Sequence, residues 1–270
     1  MNVVDFLRER PMWPVTAVIG IVRDWLERFV AVQGIDRAMA IAAQGYSAFL
    51  PLMIVYASIL PRGDNEDFAD VLVRRFELTG ATAESVRQAF APAGAVESSV
   101  TGLGLLLLLI STLSFTRGLQ RLYEGTFKLP TLGMRNTPKA LQWIAFVAIV
   151  AAVRPVITSP VSGVARVVIS LALAVGIWLV TPSLLLGRRV RWRRLLPGAL
   201  LTAFGMTCVG VWSVIWMPHT LASSAKQFGV IGIGFAMLTW FVATACVLVV
   251  ATTGGAMIAD RLERRRVPVG

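Results

Sequence analysis

Residues 102–124 read GLGLLLLLISTLSFTRGLQRLYE, an apolar run that passes into Arg117, Arg121 and Glu124 without a helix breaker. A helix needs about 20 apolar residues to cross hydrocarbon, and this run, beginning near residue 99, supplies them. With no Pro or turn signal after Ser114, the same helix is expected to continue out of the membrane to Phe127. Leu129-Pro130-Thr131-Leu132-Gly133 then reads as a loop. In hydrocarbon a segment must satisfy its own backbone hydrogen bonds, so one such helix makes the other apolar runs helices too. They fall at 38–60, 140–158, 167–186, 195–217 and 229–258. The fold class expected is all-α, a multi-pass membrane protein with six transmembrane helices.

Charge sets the orientation. Of the 26 Lys and Arg residues, 19 lie in 1–37, 117–139, 187–194 and 259–270, the alternate segments between the runs. Cytoplasmic loops carry such an excess, so both termini are expected in the cytoplasm. Topology and anionic inner-leaflet lipid account for the net charge of +11, and no nucleic-acid partner is needed. With 56% hydrophobic and 15% charged residues, the 270-residue chain leaves little for a soluble domain.

Three regions follow. Residues 1–37 form a cytoplasmic and interfacial segment. Its apolar Val18, Ile21, Val22, Trp25 and Phe29 oppose Arg23, Asp24, Glu27 and Arg28, and the apolar stretch 15–22 is too short to span. Residues 38–258 form the transmembrane domain, and 259–270 a basic cytoplasmic tail. Within the domain, 61–98 holds seven acidic residues, including Asp64, Glu66, Asp67 and Asp70. Phe68, Leu72 and Phe76, then Val86 and Phe90, flank Thr79-Gly80-Ala81-Thr82 at helical spacing. An acidic helical hairpin on the outer face is expected. The spacing also places a loop, with His219, at 218–228, and an irregular start to the last span at Gly229, Gly232 and Gly234.

Five residues are candidates for a substrate path. Arg117, Arg121 and Glu124 share one face at the inner end of the second helix, beside Gln120. They read either as an anion site in which Glu124 orients Arg121, or as snorkelled anchors with an i,i+3 ion pair. Arg154 is a lone charge at the outer end of the third span. It either lines a path facing the acidic loop or snorkels. Gln44 in the first span suits an interhelical hydrogen bond.

Catalytic chemistry finds no constellation. His219 lacks an acid partner, and the inner face has no carboxylate cluster for a metal-dependent nuclease. No cofactor or metal site is expected: one His with Cys208 and Cys246 inside predicted helices fits neither zinc nor a stapling disulfide.

Several stretches in order resemble the YihY/BrkB family of bacterial inner-membrane proteins, some formerly named ribonuclease BN. They are Asp36-Arg37-Ala38 leading to Tyr46-Ser47-Ala48-Phe49-Leu50-Pro51-Leu52; Arg117-Gly118-Leu119-Gln120-Arg121-Leu122; Pro197-Gly198-Ala199-Leu200-Leu201; and Phe228-Gly229-Val230-Ile231-Gly232 with Leu238-Thr239-Trp240. The sequence departs from the family at Glu124, where Asn is common, and at Thr252-Thr253-Gly254-Gly255-Ala256, where Gly-Ala-Glu is usual. The resemblance implies six helices and a role in the cell envelope. The expected function is movement of an anionic lipid or envelope precursor between leaflets, with anionic headgroups at the cytoplasmic face as partners. The alternative is a non-transporting scaffold that recruits partners in envelope maintenance.

Overall fold

The computed structural model describes residues 13–59, 79–89 and 98–264, with Asp70, Val73 and Arg74. Among these the chain is helical throughout, apart from short turns. In order the helices are α1 (Trp13–Ala31), α2 (Gly34–Ile59), α3 (Gly80–Ala89), α4 (Ser98–Thr126), α5 (Thr137–Thr158), α6 (Gly163–Leu185), α7 (Trp192–Gly229) and α8 (Ile231–Arg264). A 3-10 turn, Gly133–Asn136, leads into α5. Five of them, α4 to α8, are long and apolar enough to cross a membrane. The first expected span corresponds to α2, a 26-residue helix with Pro51 inside it.

The opening stretch behaves as its pattern requires: α4 runs unbroken from Ser98 to Thr126. Leu103, Leu105, Leu106, Leu109 and Ile110 are exposed, while Leu119, Leu122 and Tyr123 are buried. One end of this helix therefore faces lipid and the other enters the protein core. Val164, Val167, Val168 and Leu171 on α6 are likewise exposed, as suits a helix solvated by hydrocarbon.

Two corrections concern loops. Residues 218–228 are helical, and His219 lies exposed on α7 rather than in a loop. At 38 residues α7 is about 57 Å long, well beyond the ~30 Å of hydrocarbon. The extension is held by packing: Met217 and Leu221, one turn apart, are fully buried in a cluster with Ala83 and Val86 of α3 and Ile233, Ala236 and Met237 of α8. The break comes at Gly229 (φ 59°, ψ −139°), a conformation only glycine adopts without strain. In α5 the chain passes Arg154-Pro155 and stops at Thr158, so Ser159-Pro160 alone closes that helix.

The expected second helix of the hairpin falls at α3, which docks by its apolar side on α7 and α8. Asp70 reaches it through a 2.9 Å ion pair with Arg87. Asp64, Glu66, Asp67, Phe68, Leu72, Phe76 and Phe90 lie outside the described residues.

Close approach holds α7 to α8. A Cβ on Gly255 would sit 2.1 Å from the Gly198 Cα, so the two backbones touch there. The helix α1 docks on the same pair by its polar side. Trp25 Nε1 donates to Thr253 Oγ1 at 3.1 Å, Arg28 pairs with Asp260 at 2.8 Å, and Arg261 pairs with Asp24. Ile19, Val22, Leu26 and Val30 point outward in one stripe. Arg23 and Glu27 are exposed beside this stripe, while Trp25 and Arg28 face the protein.

Candidate functional site

The arginine-rich end of α4 carries two polar groupings with opposite character. The first centres on Glu124, which is buried. Its Oε1 accepts from Gln120 Nε2 at 2.8 Å, the Leu132 backbone N–H at 2.9 Å and Arg189 Nη2 at 3.2 Å. Arg189 also donates to the carbonyls of Pro130 (2.8 Å) and Leu186 (3.0 Å). Asn136 Nδ2 bridges Gln120 Oε1 at 3.1 Å and the Leu185 carbonyl at 2.7 Å. The end of α4, the 127–136 loop and the end of α6 are thus tied by one satisfied network. A fully satisfied buried network fixes structure, because an orphaned member would be costly in low dielectric.

This corrects the expectation that Glu124 acts on Arg121. The carboxylate is committed to Arg189, 65 residues away, and Arg121 is exposed. Arg189 and Asn136 carried no sequence signal as partners: one lay in the dense 188–194 arginine cluster, the other at a helix start.

The second grouping lies where α2 crosses α4. Arg37 and Gln44, seven residues apart on α2, lie over Gly125 and Gly118, seven apart on α4. A Cβ on Gly118 would meet Gln44 Oε1 at 2.2 Å, and one on Gly125 would meet Arg37 Nη2 at 3.0 Å. Glycine at both positions lets the polar side chains lie flat between the helices. Arg37 Nη1 donates to the Arg121 carbonyl. Gln44 Oε1 is buried without a hydrogen-bond partner, so the interhelical bond expected of that atom is not made. Arg117 is half-buried and Arg121 exposed, and neither has an ion pair among the described residues. The sequence reading left Arg37 out of the candidates. Its signal was its position one residue before the apolar run.

The acidic side chains at this end are otherwise engaged. Glu27 pairs with Arg23 (2.9 Å), Glu124 with Arg189, Glu263 with Arg194 (3.1 Å), Asp260 with Arg28 and Arg194, and Asp24 with Arg261. The hydrogen bond from Arg261 holds the Asp24 carboxyl below the usual carboxylate range. Asp36 is exposed, with no ion pair among the described residues. The cluster of Arg37, Arg117 and Arg121 therefore has no committed acid. Arg154 is exposed at the opposite end of the bundle and is not brought near the other four candidates.

A family model described as Virulence factor BrkB matches residues 25–268. The chain belongs to the BrkB family. Comparison with curated proteins and with solved structures found no match. Membership makes this a multi-pass membrane protein, in line with its apolar helices. The stretches that resemble the family are packing devices in this BrkB-family chain. Tyr46 and Phe49 on α2 each meet the Phe241 ring edge-on at 6.1 Å. Gly118 receives Gln44, Gly198 meets Gly255, and Gly229 makes the break between α7 and α8. Trp240 Nε1 donates to Ser213 Oγ at 2.7 Å. The motif Thr252-Thr253-Gly254-Gly255-Ala256 uses Gly255 for backbone contact and Thr253 to receive Trp25.

Proposed function

We propose that this protein is a six-span protein of the bacterial inner membrane, with α2 as the sixth span and both termini in the cytoplasm. Its function is to move an anionic amphiphile, a lipid or an envelope precursor, between leaflets without catalysing a reaction. The observation that carries the reading is the partition of charge. The described acids at the basic end are bound to other arginines except exposed Asp36, leaving Arg37, Arg117 and Arg121 together at the α2–α4 crossing. A guanidinium beside hydrocarbon is expensive unless it meets an anion or water. Phosphate and carboxylate headgroups supply the matching acceptors. Arg121 receives the headgroup from the leaflet, and Arg117 with Gln44, which lies against Gly118 about one turn deeper, receives it as it advances.

Proteoliposomes test this with fluorescent anionic and zwitterionic lipids. Leaflet exchange of the anionic probe is expected to fall at least tenfold in Arg117→Ala/Arg121→Ala, while the folded protein is retained. Absence of exchange for every anionic lipid tried would end the transport reading. A scaffold role is the second reading, favoured by α3, which is docked by Ala83 and Val86 and leaves Glu84, Arg87 and Gln88 exposed. Site-directed crosslinking from Gln88 that captures a discrete protein, with no lipid exchange, would favour it.

A further inference from the structure

A concave apolar groove of about 460 Å³ runs along the bundle where α1 meets α7 and α8. Trp25 from α1, Leu201 and Gly205 from α7, and Cys246, Gly254 and Ile258 from α8 line it. It is distinct from the α2–α4 crossing and shares no residue with it. We propose that this groove is a binding site for one acyl chain of a phospholipid from the leaflet in which α1 lies.

Three observations identify the occupant. From Cys246 to Ile258 the groove follows α8 for roughly 18 Å, close to the ~15 Å half-thickness of the hydrocarbon, so it is one leaflet deep. Its apolar lining disfavours water or an ion, and at about 30 Å³ per water-sized group it has room for on the order of fifteen methylenes. Its walls are apolar where they meet the occupant, because Trp25 Nε1 is spent on Thr253 and points away from lipid. The concavity exists because small residues line it. Gly254 leaves the space between the Leu201 methyl and the Trp25 ring open, and Gly205 lets Val247 lie close against α7 to form the floor.

Headgroup selectivity follows from the charges at the mouth. Asp24, Asp260 and Glu263 balance Arg28, Arg194 and Arg261, and these six are paired with one another, while exposed Arg264 also acts on Asp24. A lipid seated here meets carboxylates and guanidiniums that are mostly engaged already, so the site selects a chain more than a headgroup charge. That separates it from the anion-selective site proposed at Arg117 and Arg121.

Native mass spectrometry of the full chain, released from nanodiscs of phosphatidylethanolamine or phosphatidylglycerol, tests the proposal. One lipid is expected to remain bound from either nanodisc, with retention differing less than threefold. Cys246→Phe, which fills the groove, is expected to reduce retention at least tenfold, and Val168→Phe, an exposed position on α6 outside the groove, to leave retention unchanged. A second measurement needs no bulky substitution. In a Cys208→Ser background, added phospholipid is expected to slow N-ethylmaleimide modification of Cys246 in detergent, while a cysteine placed by Val168→Cys is unaffected. Equal retention in wild type and Cys246→Phe, equal slowing at both cysteines, or retention of phosphatidylglycerol alone would overturn it. Loss of Arg117 and Arg121 leaves this binding intact, so either proposal can fail without the other.

Discussion

Replacing Glu124 by Ala removes the acceptor on which three segments converge. The buried Gln120 amide, 2.8 Å away, and the part-buried Leu132 N–H, 2.9 Å away, both lose their partner. An unsatisfied buried donor costs about 1–3 kcal/mol and a part-buried one about 1 kcal/mol, the lower end of that range. Arg189 keeps the Pro130 and Leu186 carbonyls, and its side chain is 25% exposed, so its own loss is discounted to about 1 kcal/mol. The total is about 3–5 kcal/mol, the range for breaking one side of a buried pair. Glu124→Gln can keep its Oε1 toward all three donors and loses only the charge facing the part-exposed Arg189, which places it at about 1 kcal/mol. The assay is reversible unfolding in mixed micelles with a denaturing detergent, for wild type, both variants, Arg189→Ala and the double variant. Glu124→Ala is expected to be the least stable single variant. Adding Arg189→Ala to it should cost less than Arg189→Ala alone, since only the Pro130 and Leu186 bonds are left to lose, giving a coupling of about 1–3 kcal/mol. A Glu124→Ala protein within about 0.5 kcal/mol of wild type, or strict additivity with Arg189→Ala, would show that the network holds nothing together.

Gly255→Val drives a side chain into the Gly198 backbone, where even a Cβ would come within 2.1 Å, and is expected to cost about 3 kcal/mol. Gly254→Ala, whose nearest neighbour is a Leu201 methyl at 3.5 Å, is the matched control and should fold normally; thermal melting in detergent separates the two. Asn136→Ala frees the Leu185 carbonyl and Gln120 Oε1, so protease cleavage in the 127–136 loop is expected to accelerate before the spans melt. The Asp24 carboxyl has a folded pKa below its ordinary value, so its contribution to α1 docking is full above about pH 4 and lost as pH falls through the lower folded value. A tryptophan emission change on acidification, absent in Asp24→Asn, is the expected result. The same titration in both proteins would rule out Asp24 as its source.

Local pattern reached far in this chain because a membrane restricts what a segment can be. The unbroken passage from Leu105 to Arg121 made α4 a single helix leaving the bilayer, and Gly229 marked the break before α8. The 15–29 pattern likewise located α1. The 218–228 segment misled because Pro218, His219 and lower hydropathy look like a loop. Its helix is stabilised from outside, by Ala83 and Val86 packing on Met217 and Leu221 from more than 120 residues earlier in the chain. Helix propensity over eleven residues does not carry that information.

The candidate residues divide in the same way. Composition and spacing alone determined an all-helical membrane protein, its charge-rich end, and the interest of Arg117, Arg121 and Gln44, since each is a matter of hydropathy along one helix. Which charges are committed was decided by the tertiary structure. Glu124 meets Arg189 across 65 positions, Asp260 meets Arg28 across 232, and Arg37 reaches the Arg121 carbonyl across 84. Charges on one helix face are neighbours by arithmetic, but partnership depends on which other helix is packed against that face. Here packing took the acids out of play and left three arginines together.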